Sequence, residues 1–104
     1  MKIYHNKLVR DKILKTLKKS GVGHKYHIAK DDTEFLEKLN EKLREEIQEF
    51  NEKPSIEEFA DILQVLETIA RFHSFDLNEI KEAKANKFYN KGGFNNRIVL
   101  EETN

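Results

Sequence analysis

The amino-acid sequence predicts an all-α domain of four helices, built around a central antiparallel helical hairpin. Apolar residues recur every three or four positions in four separate segments, which is the period of an amphipathic helix. Residues that break or end helices separate these segments: Gly21 and Gly23, Pro54, and Gly92 with Gly93. No linker, repeat or low-complexity stretch divides the chain, so we expect a single domain over residues 1–104.

The first two helices follow from apolar spacing and from the residues at their ends. In residues 7–19, the apolar side chains at positions 9, 13, 14 and 17 recur at helical spacing, and the glycines that follow end the helix. A long second helix is expected over residues 33–53, with Asp31 or Asp32 as its N-cap. The intervening residues 24–30 alternate weakly between polar and apolar and are expected to be extended.

The third and fourth helices follow with short breaks. A proline and Ser55 end the second helix and start the third, which is expected over residues 56–74. A fourth helix follows Asp76, covers residues 77–91 and ends at the glycine pair. The tail, residues 94–102, reads as extended, so the prediction leaves room for one minor pair of short extended segments.

Charge and composition exclude several classes of protein. The 19 basic and 19 acidic residues cancel, so the chain lacks the basic excess of a general nucleic-acid or membrane binder. It has no cysteines, which excludes disulfides and thiolate zinc sites. The first residues lack the apolar core of a signal peptide, and no apolar run approaches ~18 residues, so we expect a cytoplasmic protein.

The apolar fraction is small for a domain of this size. Only 38% of the residues are hydrophobic, whereas 37% are charged. Because the apolar residues are periodic and the net charge is zero, we expect the chain to fold rather than to be disordered. A chain of 104 residues can bury only a small apolar core, so we also expect a homodimer or homotetramer that buries more surface.

Acidic residues crowd the apolar side of the second helix. At 100° per residue, an apolar stripe lies within about 40° of Leu43 and comprises Leu36, Leu39, Leu43, Ile47 and Phe50. Glu46 lies about 60° from the centre of this stripe, and Glu49 about 120° away on the same side. Glu45 lies nearly opposite the stripe, and we expect it to be solvated.

The third helix carries two matching acids. Its buried side is marked by Phe59, Ile62, Leu66, Ile69 and Ala70. Glu58 lies within that arc and Asp61 lies at its edge. If the turn of the hairpin is centred between residues 53 and 54, Glu49 faces Glu58 and Glu46 faces Asp61. The two acids of each helix are then only ~4.5 Å apart along its axis, so the four carboxylates converge.

Two interpretations of these acids stay open from the residues alone. Four converging carboxylates repel one another unless cations neutralise them or some of them are protonated. Oxygen-only ligands favour Mg²⁺, with Mn²⁺ as a substitute. The alternative is structural. Ser55 and Glu58 fit an S-x-x-E capping box, and Glu46 and Glu49 have Lys42 and Lys53 at helical spacing.

Three sequence blocks resemble one protein family. "EEIQE" followed by "EFAD" resembles the E-E-x-x-E…E-x-x-D signature of the MazG-like all-α nucleoside triphosphate pyrophosphohydrolases. "NKLVRDKI" near the start and "KGGFNNRI" near the end look like the branch similar to phosphoribosyl-ATP pyrophosphohydrolase. The three blocks occur in order and span nearly the whole chain, from Lys7 to Arg97.

The resemblance implies Mg²⁺ bound by a helical hairpin, with Glu46, Glu49, Glu58 and Asp61 as ligands. It also implies hydrolysis between the α and β phosphates of a nucleoside triphosphate, giving a monophosphate and pyrophosphate. Two departures stand out. Only eight residues separate Glu49 from Glu58, which is short for the superfamily, and Lys91 stands where many relatives have arginine.

The implied reaction assigns roles to acids and to cations. Glu46 or Glu49 is expected to accept the proton of the attacking water, and the sequence does not choose between them. Basic side chains are expected to hold the leaving pyrophosphate. The candidates lie near the two ends of the chain: Lys7, Arg10 and Lys12, and Lys87, Lys91 and Arg97.

Two other functions compete with this interpretation. One is phosphoribosyl-ATP hydrolysis in histidine biosynthesis, which is a narrower substrate claim. The other is a non-catalytic helical interaction module, in which the acids only cap helices and form salt bridges. The phosphate-loop pattern G-x-x-x-x-G-K-[ST] is absent, which argues against a P-loop enzyme.

Overall fold

The computed structural model describes all residues, 1–104, and contains four α-helices and no strand. The helices are α1 (Ile13–Lys19), α2 (Asp32–Glu52), α3 (Ile56–Phe72) and α4 (Leu77–Lys91). The predicted all-α class is therefore confirmed. Residues 24–30 and 94–102 contain no strand, so the minor strand pair that the sequence left room for is not formed.

Short polar side chains start three of these helices. Asp31, rather than Asp32, is the N-cap of α2, and its carboxylate accepts a hydrogen bond of 2.9 Å from the backbone N–H of Glu34. Ser55 caps α3 and Asp76 caps α4 in the same way. These caps satisfy N–H groups that have no partner within the helix. At the other end of α4, Gly92 adopts φ 82°, a conformation that favours glycine.

The first helix is six residues shorter at its start than predicted. Residues 7–12 lie outside α1, whose first turn has no acidic residue and whose N-cap, Lys12, makes no side-chain capping bond. These residues form an N-terminal segment that runs along the hairpin. Lys38 of α2 donates a 2.7 Å hydrogen bond to the carbonyl of Asn6, a residue with φ 48°. Contacts with the hairpin therefore replace the helix that apolar spacing alone predicts.

Helices α2 and α3 form the predicted antiparallel hairpin, and they are the one pair of helices that packs extensively. Two aromatic pairs mark its ends. Phe50 and Phe59 lie beside the turn with ring centroids 5.6 Å apart, and Phe35 and Phe72 lie at the open end at 5.9 Å. Both pairs adopt the edge-to-face geometry that aromatic rings prefer.

Little of the chain is buried. Leu39 of α2 and Ala70 of α3 are the two buried apolar residues, and Glu46 is the one buried charged residue. The molecule is elongated, with dimensions of 60 × 31 × 27 Å. None of its helices combines the length and the apolar character required to cross a membrane. One side of the hairpin carries acids and the N-terminal segment, and this side contains the candidate site.

Candidate metal centre

Three carboxylates from the two helices of the hairpin converge on its acidic side. Carboxylate oxygens of Glu46, Glu58 and Asp61 all lie within 4.8 Å of one another. Glu46 projects from α2 and is only 6% exposed, whereas Glu58 and Asp61 project from α3 and are half-buried. The structure thus brings Glu46 opposite Asp61, as the hairpin register predicted.

Two of these carboxylates have an oxygen without any partner. Glu46 Oε2 and Glu58 Oε2 are buried and accept no hydrogen bond. A buried polar atom is nearly always hydrogen-bonded, and leaving it unpaired costs free energy. Two such oxygens in one cluster of three carboxylates fit a divalent cation that takes oxygen ligands, such as Mg²⁺ or Mn²⁺.

Glu58 performs only half of the capping role that the sequence allowed. Its backbone N–H donates a 3.1 Å hydrogen bond to Ser55 Oγ, so Ser55 is a genuine N-cap. The reciprocal bond of a capping box, from the Ser55 N–H to the glutamate side chain, is not formed. Helix capping therefore explains Ser55 but does not explain the position of the Glu58 carboxylate.

Glu49 lies next to this cluster but outside the set of three. Partial burial is the largest cause that raises the pKa of its carboxyl above the ordinary glutamate value, and the charges of Glu58 and Glu45 raise it further. The pKa of Glu46 is also raised, first by burial and then by the charges of Glu49 and Asp61, against the opposing effect of Lys42. The predicted pairing of Glu49 with Glu58 agrees with this mutual repulsion.

The expectation that Glu45 would simply be solvated is wrong. Lys7 of the N-terminal segment lies 2.8 Å from Glu45 Oε1, and this hydrogen bond holds the pKa of the Glu45 carboxyl below its ordinary range. Lys42 Nζ lies between two acids, 3.3 Å from Glu46 Oε1 and 3.7 Å from Glu45 Oε1. Lys42 therefore pairs with Glu46 as the structural interpretation proposed, whereas Lys53 and Glu49 form no ion pair.

The predicted basic residues fall into two groups. Arg10 Nη2 donates a 2.7 Å hydrogen bond to Asp61 Oδ1, and Lys7 binds Glu45, so both lie at the acidic side of the hairpin. Lys12 is the N-cap of α1 and forms no ion pair. The remaining candidates, Lys87, Lys91 and Arg97, belong to α4 and the tail and also form no ion pair.

A cavity of about 360 Å³ opens between the N-terminal segment and the hairpin, next to the acids. Arg10, Lys42, Glu46 and Asp61 line it on the charged side. Asp11 of the N-terminal segment lines it as well. Its remaining polar lining residues, which the sequence reasoning missed, are Gln64, Thr68 and Arg71 of α3. Helical spacing offered a signal, because these positions follow Asp61 at intervals of three, seven and ten residues and continue its face.

Searches of family models, curated proteins and solved structures found nothing that matches this chain. The family resemblance of the three sequence blocks therefore stays a prediction. The case for a function rests on the geometry of the acids, the cations and the cavity.

Proposed function

We propose that this protein is a Mg²⁺-dependent nucleoside triphosphate pyrophosphohydrolase that cleaves between the α and β phosphates. The observation that carries the proposal is the pair of buried, unpartnered oxygens, Glu46 Oε2 and Glu58 Oε2, within one cluster of three carboxylates. In a cluster of acids with a purely structural role, these buried oxygens would be expected to accept hydrogen bonds. An open cavity with basic side chains beside it gives a polyphosphate access to two of the three carboxylates, Glu46 and Asp61.

Three residues of the chain are assigned to holding the cation: Glu46, Glu58 and Asp61. Bound Mg²⁺ would polarise the phosphate oxygens and lower the pKa of a coordinated water. Lys42 lies 3.3 Å from Glu46 Oε1 and compensates part of the negative charge of the cluster.

Glu49 is assigned to accepting the proton of the attacking water. Its carboxyl is next to the cluster without belonging to the three converging oxygens, so it is left to accept a proton when the other three carboxylates hold the cation. The water oxygen forms a bond to the α-phosphorus while the bond from that phosphorus to the α–β bridging oxygen breaks. The electron pair of the broken bond leaves with pyrophosphate, and the proton of the water passes to Glu49.

Arg10 is assigned to the phosphates. Its side chain is 58% exposed and its one ion pair is with Asp61. When a cation neutralises Asp61, the guanidinium can exchange that carboxylate for phosphate oxygens, which it binds with similar geometry. Lys7 is tied to Glu45 on the neighbouring turn and extends the positive charge beside the acids. Lys87, Lys91 and Arg97 stay predictions as further phosphate ligands.

The proposal is tested by identifying the products and the bond that breaks. The purified protein is incubated with Mg²⁺ and a panel of canonical and modified nucleoside triphosphates together with phosphoribosyl-ATP. The expected products are the monophosphate and pyrophosphate. In H₂¹⁸O the label should enter the monophosphate, because water attacks the α-phosphorus.

Glu57, which is adjacent to Glu58, provides a matched control. Glu46→Gln and Glu58→Gln should each lower kcat/KM by at least about 100-fold, whereas Glu57→Gln should leave it within about 3-fold. Orthophosphate as the product, label in pyrophosphate, or equal rates for Glu58→Gln and Glu57→Gln would contradict the proposal. Absence of turnover on the whole panel, with no Mn²⁺ binding, would favour the helical interaction module.

A further inference from the structure

The cavity beside the acids has an apolar part as well as a charged one. The apolar part is lined by residues of the N-terminal segment and of both helices of the hairpin: Leu8, Val9, Phe35, Leu39 and Val65. The cavity volume of about 360 Å³ lies within the range of pockets that bind small molecules. Apolar walls offer no hydrogen bond to a phosphate, but they suit the faces of a flat ring.

Two polar residues of α3, Gln64 and Thr68, line the same cavity beyond the carboxylates. Measured along the helix axis, Gln64 follows Asp61 by ~4.5 Å and Thr68 follows it by ~10.5 Å. The two are neighbours at i, i+4 spacing, so both side chains can contact one group of a ligand. If a cation at Asp61 holds the α-phosphate, the sugar and base of the nucleotide can extend along α3 toward them. This orientation rests on the proposed function.

The two side chains differ in the hydrogen bonds that they can offer. Thr68 Oγ1 donates a 2.9 Å hydrogen bond to the backbone carbonyl of Gln64. Its one proton is therefore used, and the hydroxyl offers a ligand only lone pairs. The carboxamide of Gln64 forms no hydrogen bond within the chain and is exposed to the cavity and solvent. It offers one acceptor oxygen and two N–H donors.

We propose that this part of the cavity is a nucleobase subsite that selects an exocyclic amino group beside an unprotonated ring nitrogen, as in adenine and cytosine. Gln64 Oε1 accepts one amino hydrogen while Gln64 Nε2 donates to the ring nitrogen, which is the two-bond pairing that glutamine forms with adenine in DNA recognition. Thr68 Oγ1 accepts the second amino hydrogen.

Thr68 determines the preference, because glutamine alone does not discriminate. Rotating the carboxamide of Gln64 by half a turn exchanges its oxygen and nitrogen, so it can also pair with the N–H and carbonyl of hypoxanthine or uracil. The carbonyl oxygen of such a base would then lie against the lone pairs of Thr68 Oγ1. Two acceptors without a hydrogen between them are unfavourable, so the oxo bases bind more weakly.

The competing orientation places the pyrophosphate in this part of the cavity. Arg71, which lines the cavity one turn beyond Thr68, would then hold it. Its side chain is 59% exposed, and its nearest acid, Glu67, is 3.8 Å away. The apolar lining favours the base over the pyrophosphate, because desolvating phosphate oxygens against apolar walls is costly.

The first test measures binding without hydrolysis. The full-length ¹⁵N-labelled protein is titrated with AMP, IMP, CMP, UMP and inorganic pyrophosphate and followed by NMR. The chain has two glutamines, so Gln64→Leu assigns the side-chain amide signals of Gln64 and Gln48. AMP and CMP should shift the Gln64 signals and leave those of Gln48, on an exposed position of α2, unchanged. AMP should bind about 10-fold more tightly than IMP, and CMP about 10-fold more tightly than UMP.

Variants separate the roles of the two residues. Thr68→Val keeps the shape and removes the acceptor, so it should reduce the preference for AMP over IMP to within about 2-fold, and Thr68→Ser should retain it. Gln64→Leu should weaken AMP binding by at least about 10-fold, whereas the matched control Gln48→Leu should not. The kcat/KM ratios of ATP to ITP and of CTP to UTP should follow the same pattern.

The outcomes distinguish this inference from the proposed function. Monophosphate binding with these preferences, but no hydrolysis of the triphosphates, would refute the enzymatic proposal and support the subsite. Hydrolysis with equal kcat/KM for ATP and ITP and for CTP and UTP would overturn the subsite and leave the enzymatic proposal intact. The subsite would also be overturned by Gln64 signals that shift with pyrophosphate and with none of the monophosphates, by signals that shift with no ligand, or by a preference that survives in Thr68→Val.

Discussion

Arg10 and Asp61 are separated by 51 positions in the chain, yet their side chains are joined by a hydrogen bond of 2.7 Å. This contact attaches the N-terminal segment to the acidic side of the hairpin. Both side chains are partly exposed, at 58% and 35%, so the ion pair contributes no more than about 1 kcal/mol to folding. A weak ion pair at this position suits an arginine side chain that is held beside the candidate site and can leave Asp61 to bind a substrate.

Replacement of Arg10 should separate binding from stability. Arg10→Ala should change the free energy of unfolding by less than about 1 kcal/mol, because the ion pair is solvent-screened. It should raise the affinity for Mn²⁺ a few-fold, since Asp61 loses a competing cation, and raise KM for a triphosphate by about 10-fold. Calorimetry and steady-state kinetics measure these effects. Arg44→Ala, at an exposed position of α2 without an ion pair, is the control. An unchanged KM would remove Arg10 from the phosphate site.

Ser55 and Glu58 should prove to have different roles although they form one sequence motif. Ser55→Ala should lower the free energy of unfolding by about 1 kcal/mol, because the 3.1 Å bond to the Glu58 N–H is lost, and leave Mn²⁺ affinity unchanged. Glu58→Gln should lower Mn²⁺ affinity by about 100-fold and leave the cap intact. Chemical denaturation and metal titration of both variants provide the comparison. If Ser55→Ala and Glu58→Gln changed Mn²⁺ affinity equally, Glu58 would have only a structural role.

Glu45 and Glu46 are adjacent, and their replacements should have opposite effects on stability. Burial raises the pKa of Glu46, so this group favours the folded state when protonated, and that contribution is lost as pH rises through the raised pKa. Without divalent cations at pH 7, Glu46→Gln should therefore be more stable than wild type by about 1 kcal/mol. The difference in stability between Glu46→Gln and wild type should narrow when the pH falls below about 4.3, the ordinary pKa of glutamate.

Replacement of Glu45 should have the opposite effect on the free energy of unfolding. The hydrogen bond from Lys7 lowers the pKa of Glu45, so its contribution to stability is present at neutral pH and is lost as pH falls through the lowered value. Glu45→Gln should therefore be less stable than wild type at pH 7, by under about 1 kcal/mol because the pair is partly exposed. Urea denaturation at pH 3, 5 and 7 measures both variants. Effects of the same sign at pH 7 would contradict the different environments of the two residues.

Leu39 should be the most sensitive apolar position within one chain. It is 1% exposed, and Leu39→Ala should lower the free energy of unfolding by about 2–5 kcal/mol through lost burial and the remaining cavity. Leu100→Ala, at a position that is 77% exposed, should change it by less than about 0.5 kcal/mol. Denaturation of both variants at one fixed protein concentration is the measurement, so that any association affects both variants at the same concentration. Equal effects would show that α2 is not packed as described.

The elements that local chemistry controls could be predicted from the sequence. Helix α4 has the bounds that were expected, because Asp76 caps its start and Gly92 ends it. The α2–α3 hairpin follows from two long amphipathic segments with a break too short for any other connection. Angular position on α2 and the register of the hairpin were sufficient to place Glu46 opposite Asp61.

Contacts between distant segments decided the rest. Residues 7–12 have helical spacing, yet they lie along the hairpin because Lys7 and Arg10 reach acids that are 38 and 51 positions away. The same contacts pair Glu45 with Lys7 and form the cavity beside Gln64 and Thr68. Periodicity reports which face of a helix is apolar, but not which partner covers it. Only tertiary packing determines that the N-terminal segment lies along the acidic side of the hairpin. It also determines that Phe59 and Leu66, which periodicity assigned to the buried side of α3, are 51% and 43% exposed.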